Sequence, residues 1–298
     1  MVKDKDKVKG ALYGVAVGDA LGAPAEMMDR DELVEKFGQL DTMLPGGWFE
    51  RDAGEPTDDT AMMLCVGEGI MADPENPVPE VGKRFIEWVE SGPPNIGMTS
   101  SHAIATARYL MHTIYKGQPE EAWDEAGLQV AHENGHQSMG NGALMRTIPT
   151  ALAYDDLDDM VDYTEQIATM THHDSMSTRL CVEYVYMVHA LVTGDEEEAL
   201  KHSDSILDIC RDIEEVPKGK VMETMLCAMK SLRKTDSFRA AVIDAVNRGG
   251  DADTIGAVTG GMAGARYGYS SIPQEWLEAM PEDIRSRLDA LADWCAAR

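Results

Sequence analysis

Gly10-Ala-Leu-Tyr-Gly14-Val-Ala-Val-Gly18-Asp-Ala-Leu-Gly22 places a glycine at every fourth position, and Gly256, Gly260, Gly264 and Gly268 repeat that spacing near the other end of the chain. A step of four stays close to one face of an α-helix, and a face without side chains lets another backbone approach closely. Each glycine costs about 0.8–1.0 kcal/mol against alanine in a helix interior, so the two series need a compensating contact. The Ala, Leu, Val and Met residues between the glycines suit helices better than loops. Packed antiparallel, the two helices would bring the end of the first, which leads to Glu26, beside the start of the second, which carries Asp251 and Asp253.

Those aspartates belong to one of two short acidic clusters, Thr57-Asp58-Asp59-Thr60 and Asp251-Ala-Asp253-Thr254. Each precedes an apolar-periodic segment, where Asp and Thr are ordinary helix caps favoured by the helix dipole. A pair of such clusters argues for more. Carboxylates this close repel one another unless a cation lies between them, and hard oxygen ligands without nearby Cys or His select Mg²⁺ or Mn²⁺ over zinc.

The rest of the chain reads as one all-α domain spanning 1–298, a compact helical bundle. Aromatic residues make up only 6% of it, and runs of Val, Ile, Thr and Tyr are scarce. Helices are expected at 30–37, 57–72, 78–90, 99–116, 119–131, 142–153, 158–170, 175–193, 196–211, 219–233, 237–247, 252–267 and 282–297, with turn signals such as Pro45-Gly46-Gly47 and Gly92-Pro93-Pro94 between them. The net charge of −27 argues against a nucleic-acid surface or an anionic membrane partner. Five dispersed cysteines without a Cys-x-x-Cys pair read as reduced core residues. The charged N-terminus makes a poor signal peptide, and Asp19 interrupts the apolar stretch 8–25, so a soluble cytoplasmic protein is expected.

Taken in order, Gly14-Val-Ala-Val-Gly-Asp-Ala-Leu-Gly-Ala-Pro-Ala-Glu26, Glu55-Pro-Thr-Asp-Asp-Thr60, Gly140-Asn-Gly-Ala-Leu-Met-Arg146, Thr171-His172 and Gly249-Gly-Asp-Ala-Asp-Thr-Ile-Gly256 resemble the ADP-ribosylglycohydrolase family over residues 10–268. The resemblance implies an all-helical fold with a binuclear divalent-metal cleft, hydrolysing the bond between the terminal ribose of ADP-ribose and its acceptor. It implies Thr57, Asp58 and Asp59 as ligands from one helix start and Asp251, Asp253 and Thr254 from the other. Glu26 would be a mobile acid or base, and Asp59 joins it among the catalytic candidates. Ser138 and Met139 would line the ADP-ribose cleft, Gly140, Asn141 and Gly142 would offer backbone N–H groups to phosphate, and His172 would touch substrate. Arg146 is expected in a buried ion pair.

One departure bears on the acceptor. Family members acting on ADP-ribosyl-arginine often carry an acid where this chain reads Pro94-Asn95-Ile96-Gly97, and an amide neither acts as a base nor offers negative charge to a guanidinium. Asn95 and Gly97 remain substrate-binding candidates, while arginine specificity is in doubt and serine-linked, other O-linked or free ADP-ribose derivatives stay open. Two competing readings are a catalytically inactive ADP-ribose-binding relative and a zinc peptidase built on His132-Glu133-Asn-Gly-His136. The retained acidic clusters argue against the first. Gly135 inside the motif and the absence of an obvious third ligand argue against the second.

Overall fold

The computed structural model describes residues 3–135 and 139–298. Its helices are Lys5–Gly22 (α1), Arg30–Phe37 (α2), Asp58–Ala72 (α3), Pro77–Glu90 (α4), Met98–Thr113 (α5), Pro119–Glu133 (α6), Ile148–Ala153 (α7), Leu157–Thr169 (α8), Ser175–Thr193 (α9), Glu196–Ile209 (α10), Val221–Lys234 (α11), Phe238–Val246 (α12), Ala252–Tyr267 (α13), Gln274–Ala279 (α14) and Glu282–Ala296 (α15). Among the described residues there is no strand, only the isolated bridges Gly46–Arg51 and Gly140–Lys220. None of these helices is long and apolar enough to cross a membrane.

Helix α1 and helix α13 form the central pair. They run antiparallel, with Gly10 against Gly264, Gly14 against Gly260, Gly18 against Gly256 and Gly22 against Ala252. A Cβ added at Gly14, Gly18 or Gly260 would overlap the partner backbone carbonyl, so the glycines are required by the contact itself. The last glycine of the second series departs from the expectation: Gly268 lies one residue past α13, where its φ of 83° ends the helix. Around this pair pack α3, α9, α12 and α15, so α1 and α13 are buried on nearly every side. Surface helices start where side-chain caps dictate. Asp29 and Glu32 form a capping box on α2, and Asp156, Asp174 and Ser237 cap α8, α9 and α12.

Two further expectations change. The segment 142–153 divides into a short 3-10 turn, Leu144–Arg146, and α7, because Pro149 has no N–H to continue a helix from upstream and sits in the first turn of a new one. Helix α14 lies outside the expected set: its six residues are too few for periodicity to register. All five cysteines are buried free thiols.

Candidate active site

Asp19 projects from α1 to the start of α3. Fully buried, it accepts from the Thr57 N–H at 2.9 Å, the Thr60 N–H at 3.0 Å and the Thr60 hydroxyl at 2.6 Å. It therefore caps, from another helix, the turn that bears Asp58 and Asp59. Burial pushes its carboxyl up to about 6, against the pull of those donors. Sequence reading assigned Asp19 no role, although a lone carboxylate inside an apolar glycine-faced helix was the signal.

The two acidic turns meet because Asp19 holds the start of α3 against α1, while the antiparallel packing of α13 sets Ala252 beside Gly22 at that same end of α1. The Thr57 hydroxyl lies 3.3 Å from Asp59 Oδ2 and 3.4 Å from Asp253 Oδ2, and the Thr254 hydroxyl lies 3.3 Å from Asp59 Oδ2. Asp59 Oδ1 and Asp253 Oδ1 are buried without a hydrogen-bond partner. Burial drives both carboxyls well above the usual range, and neighbouring carboxylates push them further, Asp19 and Asp253 on Asp59, and Asp251 with Glu26 on Asp253. Among the described residues no three His, Cys, Asp or Glu side chains form a ligand set by themselves; the convergence is of two carboxylates with two hydroxyls.

Asp58 and Asp251 flank that centre. Burial raises Asp58, opposed by the backbone N–H groups of Asp58 and Gly97, then by the nearby Arg51 guanidinium and the Asn95 side chain. Burial likewise pushes Asp251 up to about 6, opposed by the Asn141 amide that donates to it. Glu26 follows the 3-10 turn Ala23–Ala25 and is half-buried. Its carboxyl is pushed up to about 7 by burial first and then by Asp58 and Asp251. The next residue, Met27, has a φ of 67° and donates its N–H to the Gly250 carbonyl at 2.7 Å, tying the Glu26 loop to the residue before Asp251.

The glycine loop differs from expectation in one respect. The Asn141 N–H is committed to the Gly219 carbonyl at 3.1 Å, and the loop leads into the 3-10 turn, not into the N-terminus of a longer helix. Anion binding at Gly140-Asn141-Gly142 therefore cannot draw on that amide or on a long helix dipole. What the glycines do provide is room. A Cβ at Gly142 would lie 2.8 Å from His172 Cε1, and one at Gly140 3.1 Å from His172 Nε2. His172 is buried, and its pKa falls to about 3 through burial and then the charge of Arg146, so the ring is neutral. Arg146 donates to the Gly142 and Ile167 carbonyls and to the Thr171 hydroxyl, which lies 2.8 Å from His172 Nδ1. Since Arg146 only donates, Thr171 keeps a hydroxyl proton that it can give to Nδ1, and in that tautomer the ring proton sits on Nε2 on the glycine-loop side. The expected ion pair of Arg146 is corrected: its described partners are these three oxygens and the Phe85 ring, 4.9 Å from the guanidinium carbon, because carbonyls can solvate a buried guanidinium without a counter-charge.

Glu26, Asp58, Asp59, Asn95, Gly97, Gly140, Asn141, Gly142, His172, Asp251, Asp253 and Thr254 line one cavity of about 530 Å³. Thr57 is buried behind its carboxylates, and Met139 uses its carbonyl to accept from the Val221 N–H at 2.8 Å. Ser138 lies outside the described residues, as does His136 of the competing zinc motif. The other members of that motif, His132 and Glu133, occupy the exposed last turn of α6, where Glu133 lies 3.2 Å from His102.

A family model described as ADP-ribosylglycohydrolase matches residues 1–298. The chain is 34% identical to an ADP-ribosyl-[dinitrogen reductase] glycohydrolase of Rhodospirillum rubrum, over 96% of this chain and 95% of that protein. It is 29% identical to the ADP-ribosylarginine hydrolase Tri1 of Serratia proteamaculans, over 94% of this chain and 76% of that protein. A solved structure titled ADP-ribosylglycohydrolase-related protein complex superposes with a TM-score of 0.78 at 29% identity, covering 98% of both chains. The helical fold, the cleft and the whole-chain match together place this protein in the ADP-ribosylglycohydrolase family, as an enzyme hydrolysing glycosidic bonds of ADP-ribose.

Proposed function

We propose that the chain acts as one domain, a metal-dependent hydrolase that frees ADP-ribose from a protein side chain or from a small ADP-ribose derivative. The observation that carries this reading is the meeting of Asp59 and Asp253 with the Thr57 and Thr254 hydroxyls, with one oxygen of each carboxylate buried and unpaired. An all-oxygen donor set crowded with like charge fits hard divalent cations. Thr57, Asp58, Asp59, Asp251, Asp253 and Thr254 would hold two such ions, Mg²⁺ or Mn²⁺. When bound, they would orient ribose hydroxyls and polarise a water for attack on a carbon of oxocarbenium character.

The side chains supply the rest. Glu26, held near neutrality in its titration, can exchange a proton at its carboxyl oxygens with the attacking water or the departing acceptor. Asn141 orients Asp251 through its amide, and Asn95 lies beside Asp58 and helps keep it ionised. Gly140 and Gly142 leave space beside the neutral His172 ring, whose Nε2–H is a donor for the diphosphate.

The decisive experiment is hydrolysis of arginine-, serine- and O-acetyl-linked ADP-ribose by metal-stripped protein with and without each cation. Release of ADP-ribose only with Mg²⁺ or Mn²⁺ is expected. Release without any divalent ion, or tight zinc at His132 with none at the acidic turns, would overturn the reading.

A further inference from the structure

Large apolar side chains cluster at the mouth of the cleft. Met98 is 89% exposed, Trp48 76% and Met27 72%, with Phe49 at 37%, and all four line the same cavity as Asp58 and Glu26. Apolar residues scattered singly over a surface need no explanation, but several converging on one opening mark a contact site.

The collar is held in place. Gly46 and Arg51 exchange backbone hydrogen bonds of 2.9 Å in both directions, closing a neck from which Trp48, Phe49 and Glu50 project. Arg51 anchors that neck from below, donating to the Pro56 carbonyl at 2.9 Å and to Asn95 at 3.3 Å. Met98 directly follows Gly97, which lines the cavity with Asp58, and Met27 directly follows Glu26.

Position decides the occupant. The Trp48 loop and Met98 are tied to Asp58, whereas the glycine loop with His172 is tied to Asp251 through Asn141. If the diphosphate takes the glycine loop and the terminal ribose the acidic centre, the group lying over Glu26, Asp58 and the collar is the acceptor. Exposed Glu50 and Asp52 follow the aromatic pair in the same loop on a chain of net charge −27, which favours a partner with positive charge beside apolar side chains.

Resting on the hydrolase reading above, we propose that Trp48, Phe49, Met98 and Met27 dock the polypeptide that carries the ADP-ribosylated residue, selecting protein acceptors whose flanking residues are apolar and basic. The test is calorimetric binding, together with KM and kcat, on a short Leu- and Lys-flanked peptide ADP-ribosylated at a central serine or arginine, beside free ADP-ribose and a single ADP-ribosylated amino acid. In the double variant Trp48→Ser, Met98→Ser, affinity for the peptide should fall roughly tenfold or more, the scale of losing interface anchors. Affinity for free ADP-ribose and KM for the single amino acid should stay unchanged between variant and unaltered protein, and added salt should weaken the peptide more than free ADP-ribose. Equal weakening of peptide and free ADP-ribose, or no weakening of the peptide, would overturn the proposal. Absence of turnover in the unaltered protein, with the binding difference intact, would instead count against the hydrolase reading alone.

Discussion

Arg51 Nη2 donates to Asn95 Oδ1 at 3.3 Å, and the Asn95 side chain in turn lies beside Asp58 and helps hold its carboxyl ionised. The residue at which the acceptor specificity was read is thus already engaged by a guanidinium from this chain. An aspartate in its place would pair with Arg51 and set a second carboxylate beside Asp58. Arginine-linked ADP-ribose is expected to be a poor substrate, Asn95→Asp alone to improve it little, and Asn95→Asp with Arg51→Gln to improve it more, because only then is the new carboxylate free for an acceptor guanidinium. Relative kcat/KM on arginine- and serine-linked substrates checks this, and efficient cleavage of the arginine linkage by the unaltered protein would show that Asn95 does not set the preference.

Glu26 separates binding from chemistry. Glu26→Gln should retain fold and ADP-ribose binding while lowering turnover about 10²-fold or more, the usual scale for losing acid–base assistance. Any limb of the pH–rate profile that Glu26 carries should vanish in that variant. Asp58→Ala and Asp253→Ala should lose metal affinity and activity together, as removal of ligand charge requires. A fully active Glu26→Gln enzyme would remove the role assigned to that residue.

The buried aspartates make the metal-free protein sensitive to pH. Asp19 and Asp251 at about 6, with Asp59 and Asp253 also raised, bind protons more tightly folded than unfolded. Stability therefore falls as pH rises from the unfolded carboxylate range near 4 through these raised values, the reverse of an ion-paired carboxylate. Thermal melts of metal-stripped protein should show Tm decreasing from about pH 5 to about pH 7.5. Mg²⁺ or Mn²⁺ should raise Tm more at the upper end of that range than at the lower, since at low pH protons compete for the same oxygens.

The central helix pair is open to a packing test. Gly18→Leu or Gly260→Leu forces a side chain into the opposing carbonyl of Gly256 or Gly14, and should destabilise by about 1–3 kcal/mol or more. Chemical denaturation measures it.

The helices, the two glycine series and the acidic turns were legible in the sequence because each is a local pattern: periodicity, a step of four, and cap residues ahead of apolar runs. The pairing of the two series was legible as well, since a bare helix face has few uses other than close contact with another backbone. Local pattern could not reveal which atoms would be consumed in building the site. Asp19 became the cap of α3, Arg51 took hold of Asn95, the Asn141 N–H went to Gly219, and Arg146 found carbonyls where a carboxylate was expected. Each of these links joins segments well separated in the chain, so each depends on how side chains and loops meet after the helices pack. The sequence by itself determined the helical scaffold and the residues gathered at one end of the α1–α13 pair. The tertiary structure decided their hydrogen-bond partners and their burial, and through burial how strongly they hold protons.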